Sequence, residues 1–178
     1  MKLLILDRDG VINFDSDEYV KTVDEWKPIP GSIEAIAKLS KAGFTIAVAT
    51  NQSGLARGYF SPETLHLMHS KMRHMVSEHG GHIDHIEYCP HGPDDQCDCR
   101  KPLPGMIHNI LVQYPEAAPE SVFVVGDSLR DLEAGIAAGC KPLLVRTGKG
   151  ERTIAKGDLP AKLPIFDDLI SATPFILE

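Results

Sequence analysis

The chain has 178 residues, 43% of them hydrophobic, which is enough for one buried core and short for two independent domains. Its formal net charge of −7 argues against non-specific nucleic-acid binding, which needs a basic footprint. An anionic small molecule stays open, because local cations or a metal reverse the sign inside a cleft. No apolar run approaches the roughly 18 residues of a membrane span.

Met1-Lys2 leads into Leu3-Leu4-Ile5-Leu6, and Asp7 follows at once. That run is too short for a signal-peptide core and reads as a buried strand. A cytoplasmic monomer with reduced thiols is expected. Helical spacing of Ile33, Ile36, Ala37 and Leu39 predicts a helix over 32–41, with Ser32 as N-cap and Gly43 as stop. Phe44–Ala49 is a second strand. Ser61-Pro62-Glu63 opens a helix that carries Leu65, Met68, Met72 and Val76 on one face and ends at Gly80-Gly81. Strands are expected at 83–88, 122–125, 143–145 and 165–166. Helices are expected at 104–114 and 131–138. This alternation predicts an α/β fold: a Rossmann-like, doubly wound parallel sheet with helices on both faces, as one domain over 1–178.

In such folds the ligand sits beyond the carboxyl ends of the strands. Strand one ends in Asp7-Arg8-Asp9-Gly10. Two carboxylates there are costly to bury unless a cation neutralises them, and Mg²⁺ suits hard oxygen ligands. Taken alone, the pair also reads as a polar turn. Strand two ends in Thr50-Asn51-Gln52-Ser53-Gly54, whose hydroxyls and amides suit phosphate oxygens, or else start a loop. Strand four ends in Gly126-Asp127-Ser128-Leu129-Arg130-Asp131. Asp127 is a candidate metal ligand. Asp131 is a helix-start acid, a support or a ligand. Arg100-Lys101-Pro102 offers an anion grip, or a solvated basic pair.

Taken in order, Asp7-x-Asp9-Gly10, Thr50, Lys101-Pro102 and Gly126-Asp127-x-x-x-Asp131 resemble the four motifs of the haloacid dehalogenase-like phosphatase superfamily, over Leu3 to about Arg146. The resemblance implies a Mg²⁺-dependent phosphomonoesterase. Asp7 would be the nucleophile and form an aspartyl-phosphate. Asp9 would be general acid and then base. Asp7, Asp127 and the Asp9 backbone carbonyl would hold Mg²⁺. Thr50 and Lys101 would hold the phosphate. An ordinary aspartate pKa of about 3.9 is low for an acid near neutrality, so the surroundings of Asp9 are expected to raise it. Arg8 reads as structural or surface-paired.

Cys89-Pro90-His91 and Cys97-Asp98-Cys99 place three of the four cysteines within eleven residues, with a histidine between. Cys89, His91, Cys97 and Cys99 suit tetrahedral Zn²⁺, with every position filled and so a structural role. A disulfide or free thiols are the alternatives. Cys140 reads as a packed thiol. The histidines His66, His69, His74, His79, His82 and His85 read as surface or partly buried groups without a role.

The gaps between motifs hold no large cap domain, so the protein reads as capless, with the zinc loop (about 89–101) and Val11–Lys27 as small lids. Leu6–Gly10, Thr50–Gly58, Cys89–His91, Cys97–Pro102 and Arg146–Gly148 resemble the heptose-bisphosphate phosphatase family. A sugar phosphate substrate follows, with Thr50, Asn51, Gln52 and Ser53 touching it and Arg100 recognising it. Val11 where a Thr is common and Ser128 where a Lys is common depart from that pattern. Histidinol-phosphate phosphatases share the core and the zinc loop, and Asp15, Asp17 and Glu18 would suit their cationic substrate. A receiver domain, which also phosphorylates an Asp, is the non-enzymatic alternative; its acceptor follows a middle strand and lacks an acid like Asp9.

Overall fold

The computed structural model describes residues 1–178. Six parallel strands form one sheet in the order β3-β2-β1-β4-β5-β6. They are β1 (Lys2–Leu6), β2 (Phe44–Asn51), β3 (His85–Cys89), β4 (Phe123–Gly126), β5 (Lys141–Val145) and β6 (Ile165–Phe166). The helices are α1 (Ser32–Lys41), α2 (Pro62–Glu78), α3 (Gly105–Gln113), α4 (Leu129–Ala137), α5 (Gly150–Lys156) and α6 (Leu169–Leu177), with a short 3-10 turn at Pro119–Ser121.

The period of two along β1 divides the core. Leu4 and Leu6 join Ile33, Ile36, Leu39, Met68, Met72, Leu169 and Ile176 on the face covered by α1, α2 and α6. Leu3 and Ile5 join Met106, Ile107, Ile110 and Ala134 on the face covered by α3 and α4. Each such fully buried aliphatic side chain contributes about 1.5–3 kcal/mol. Cys140 packs into this second face, and burial pushes its thiol up to about 11.

The strand order places the topological switch beside β1, because the chain builds outward to β2 and β3 and then returns to β4 on the other side. A crevice therefore opens above the carboxyl ends of β1 and β4. Asp7 and Asp127 stand at those two ends, and the Asp7 N–H donates to the Val125 carbonyl at 2.9 Å.

Most helix bounds agree with the apolar spacing. Ser61 caps α2 by accepting from the Thr64 N–H, with Pro62 in the first turn. Ser32 does not cap α1. Gly31 holds the cap position at φ 88°, and the Ser32 hydroxyl donates to the Val11 carbonyl at 2.8 Å, tying down the loop after Asp9. β2 runs on to Asn51, so Thr50 lies within the strand. Two helices, α5 and α6, were not expected. α6 is apolar on most sides and contains Pro174, which reads as a breaker in sequence.

Candidate active site

Lys101 organises the floor of the cleft. Its side chain is buried, and its Nζ lies 3.0 Å from Asp7 Oδ1, 2.6 Å from Asp131 Oδ1 and 2.7 Å from the Ala49 carbonyl. Burial would lower the ammonium's pKa, but Asp131 and Asp7 outweigh burial and raise it, so the charge is held. The Lys101 backbone is fixed as well. Asn51 accepts its N–H at 3.0 Å and donates to its carbonyl at 3.2 Å. Asn51 thus spends its amide on positioning Lys101.

Asp7, Asp127 and Asp131 offer carboxylate oxygens that all lie within 4.8 Å of one another. Asp131 Oδ2 is already engaged by the Asp127 and Ser128 N–H groups and the Ser128 hydroxyl, at 3.2, 3.1 and 3.0 Å. Ser128 and Asp131 form a capping box at the start of α4. Burial would raise Asp131, but the Lys101 charge outweighs it and holds it low. Its two neighbours go the other way. Burial and the Asp131 charge push Asp7 up to about 7. Burial and the Asp7 charge push Asp127 up to about 9. Three carboxylates face one ammonium in a buried place, which is costly unless a further cation joins them. That donor set fits a hard divalent ion such as Mg²⁺.

Asp9 turns its carboxyl away from this cluster. Oδ1 accepts from Arg8 Nε at 3.0 Å, Arg8 Nη2 at 2.8 Å and Asn13 Nδ2 at 2.8 Å; Oδ2 accepts from Gln52 Nε2 at 3.0 Å. Burial would raise this carboxyl, but the Arg8 guanidinium and the two amides outweigh it and hold it below the ordinary aspartate range. This corrects the expected rise, because sequence reading did not foresee that Arg8 folds back onto its own neighbour. Arg8 is fully buried, with none of its surface exposed, so it is not surface-paired. Its Nη1 sits 3.2 Å from His69 Nε2 on α2. His69 is therefore a buried partner, not a bystander on a helix surface.

Gln52 Nε2 also donates to Thr50 Oγ1 at 2.9 Å, so Gln52 links Asp9 to Thr50. The cleft has a volume of about 230 Å³ and is lined by Asp7, Asp9, Thr50, Asn51, Gln52, Ser53, Arg100, Lys101, Asp127 and Asp131 among others. All the residues singled out at the strand ends thus meet in one place. Arg130 and Lys149 join them, and sequence reading passed over both. Arg130 lies three residues beyond Asp127, and the Lys149 N–H donates to Asp127 Oδ2 at 2.9 Å. Asp15 and Asp17, read as free acids for a cationic substrate, face cations already: Lys149 at 3.7 Å and Arg152 at 3.4 Å.

Beside the cleft, Cys89, His91, Cys97 and Cys99 form a second cluster, also within 4.8 Å of one another. Cys89 Sγ lies 3.5 Å from His91 Nδ1 and 3.7 Å from Cys97 Sγ; His91 Nδ1 lies 3.3 Å from Cys99 Sγ; Cys99 and Cys89 sulfurs lie 2.9 Å apart. All four cysteines of the chain are unbridged. A tetrahedral zinc with bonds of about 2.0–2.3 Å needs donor separations near most of these values. Burial would raise Cys97, but the Arg100 and Cys99 N–H groups outweigh it and pull the thiol down to about 6. Burial and its sulfur neighbours raise Cys99. A set of thiols that cannot all ionise together unless a cation joins them fits Zn²⁺. The loop carries Arg100 directly, and Arg100 Nη1 donates to the His91 carbonyl at 3.2 Å.

Acids at the ends of β1 and β4 around a buried lysine define a haloacid dehalogenase-like phosphatase, and a family model described as HAD-hydrolase-like matches residues 98–172. Two curated proteins named D-glycero-beta-D-manno-heptose-1,7-bisphosphate 7-phosphatase are similar to the chain. The one from Pseudomonas putida is 63% identical over 95% of each chain. The one from Pseudomonas aeruginosa is 58% identical over 99% of this chain and 98% of its own. The crystal structure of D,D-heptose 1,7-bisphosphate phosphatase from B. bronchiseptica, complexed with magnesium and phosphate, superposes with a TM-score of 0.97 at 52% identity, covering 99% of this chain and 98% of that one. At such identity over nearly the full length, the chain belongs to this heptose-bisphosphate phosphatase family within the haloacid dehalogenase-like phosphatases.

Proposed function

We propose that the chain removes the 7-phosphate of D-glycero-D-manno-heptose 1,7-bisphosphate, in the synthesis of heptose for surface glycans, through an aspartyl-phosphate on Asp7. The observation that carries this is the placing of Asp7 against Lys101 on the floor of a polar cleft, in a chain whose relatives bear that activity in their names.

Asp7 attacks phosphorus, the bond to the sugar oxygen breaks, and Asp9 hands that oxygen its proton. Asp9 then takes a proton from the water that hydrolyses the aspartyl-phosphate. Its grip by Arg8 favours the ionised form in the free protein. A phosphate dianion arriving beside it opposes that grip and raises the carboxyl. Lys101 and Thr50 hold the transferring group, with Asn51, Gln52 and Ser53 around it. Mg²⁺ would be held by Asp7 and Asp127, with the Asp9 backbone carbonyl, and would screen the charge between carboxylate and phosphate. Zn²⁺ would be held by Cys89, His91, Cys97 and Cys99 as a structural ion. We take residues 1–178 to be one hydrolase domain, acting as a monomer in the cytoplasm, where thiolates stay reduced.

The rest of the cleft favours a second anionic group. Arg100, Arg130 and Lys149 line it, and Arg100 is the natural grip for the distal phosphate. Of the lid acids, Asp15 and Asp17 face Lys149 and Arg152, and Glu18 lies outside the cleft lining, which disfavours a cationic substrate. Purified enzyme is expected to turn over heptose 1,7-bisphosphate with a kcat/KM at least about 100-fold above that for histidinol phosphate, a difference of about 2.7 kcal/mol. The reverse order would sink the heptose reading.

A further inference from the structure

Behind the cleft lies a polar network that the strand-end motifs do not account for. Arg8 has no exposed surface, and His69, on the inner face of α2, is 7% exposed. Between them they make one continuous chain of contacts: His69 Nε2 to Arg8 Nη1 at 3.2 Å, then Arg8 Nε and Nη2 to Asp9 Oδ1 at 3.0 and 2.8 Å. Arg8 Nη1 has a second, weak neighbour, Met68 Sδ at 3.8 Å. The two ends of this guanidinium thus have different tasks. One edge grips Asp9 in fork geometry. The other is closed by an aromatic nitrogen lone pair from a different element.

We propose that His69 is a positioning residue for Asp9, acting through Arg8 to hold the general acid in register with the leaving oxygen. A buried guanidinium with an unsatisfied N–H is costly and turns to find an acceptor. Without His69, Arg8 keeps contacts only to Met68 sulfur and Asp9, so the guanidinium is expected to re-aim and take the Asp9 carboxyl with it. His69 suits the task because burial, and then the Arg8 charge, hold its ring down to about 3; it stays neutral and keeps an accepting nitrogen. Arg73, His66 and the Tyr88 ring, 6.3 Å away, are its other neighbours. The packing makes α2, which contributes no residue to the cleft lining, part of the support of the acid.

This rests on the phosphatase reading, and the test separates the two. In kcat/KM, which ends at the first irreversible step, the acid matters for a poor alkyl leaving group and little for a good aryl one. His69→Leu is expected to lower kcat/KM for the sugar phosphate about tenfold or more while changing that for p-nitrophenyl phosphate less than about twofold. His69→Gln, which restores an acceptor, is expected to recover most of the loss. Equal losses on both substrates, or no recovery in His69→Gln, would overturn the positioning role while leaving the wild-type phosphatase intact. A wild-type enzyme without turnover would sink the parent reading instead. If His69→Leu fails to fold, the contrast between substrates is read from His69→Gln against His69→Ala, and equal ratios overturn the proposal.

Discussion

At the scale of single residues, charge decides the behaviour of the floor. Asp7 and Asp127 stand at about 7 and about 9, above the ordinary aspartate value of about 3.9. In the metal-free protein the folded state therefore keeps protons that the unfolded chain has released. The associated stability is fully present below the unfolded pKa and is lost as pH rises, through about 7 for Asp7 and about 9 for Asp127. Mg²⁺ competes with those protons and offsets the loss. Thermal melts of the metal-free protein are thus expected to fall between pH 6 and pH 9, and added Mg²⁺ should raise Tm more at the higher pH. Equal increments across that range would contradict this account of the carboxylates. Asp9 shows the opposite lesson. The same residue type two positions on is held low, because Arg8 reaches it first.

At the scale of elements, the loop from Cys89 to Arg100 stands out, since it has almost no apolar content and still fixes two cleft residues. Arg100 and Lys101 follow Cys99 without a spacer, and Arg100 is tied back to the His91 carbonyl. With zinc held by Cys89, His91, Cys97 and Cys99 as proposed, Cys97→Ser is expected to lose the metal and loosen both residues. A misplacement on the order of 1 Å costs roughly 100-fold in rate, so kcat/KM is expected to fall by about that factor. Metal analysis and protease cleavage within 92–98 should report the cause, and retained activity in a zinc-free variant would contradict it. Much of this element-level picture was legible in the chain: Ser61-Pro62 at the start of α2, the strand-end acids, and the Cys/His spacing each follow from local chemistry. Three features were not. α6 hides behind Pro174, which reads as a stop. Ser32 looks like a cap, yet its hydroxyl is needed at Val11, a partner 21 residues away. His69 looks like any helix histidine, because only tertiary packing brings it under Arg8.

At the scale of the whole molecule, the strand order gathers four distant segments at one crevice and lets a chain with a net charge of −7 present a cleft with four cations, Arg100, Lys101, Arg130 and Lys149. The sheet delivers Asp7 and Asp127, α4 restrains Asp131 and carries Arg130, the cysteine loop delivers Arg100 and Lys101, Lys149 comes from the start of α5, and α2 supports the acid from behind. On the proposed mechanism, all of this converges on the Asp7 carboxylate as the group that takes the phosphoryl group. The direct measurement is an acid-quenched single turnover of heptose 1,7-bisphosphate, followed by digestion and fragment mass mapping of the phosphorylated peptide. The account predicts the phosphoryl group on the Asp7 carboxylate, with no adduct and no turnover in Asp7→Asn. A phosphoryl group on another residue, or turnover that persists in Asp7→Asn, would contradict it.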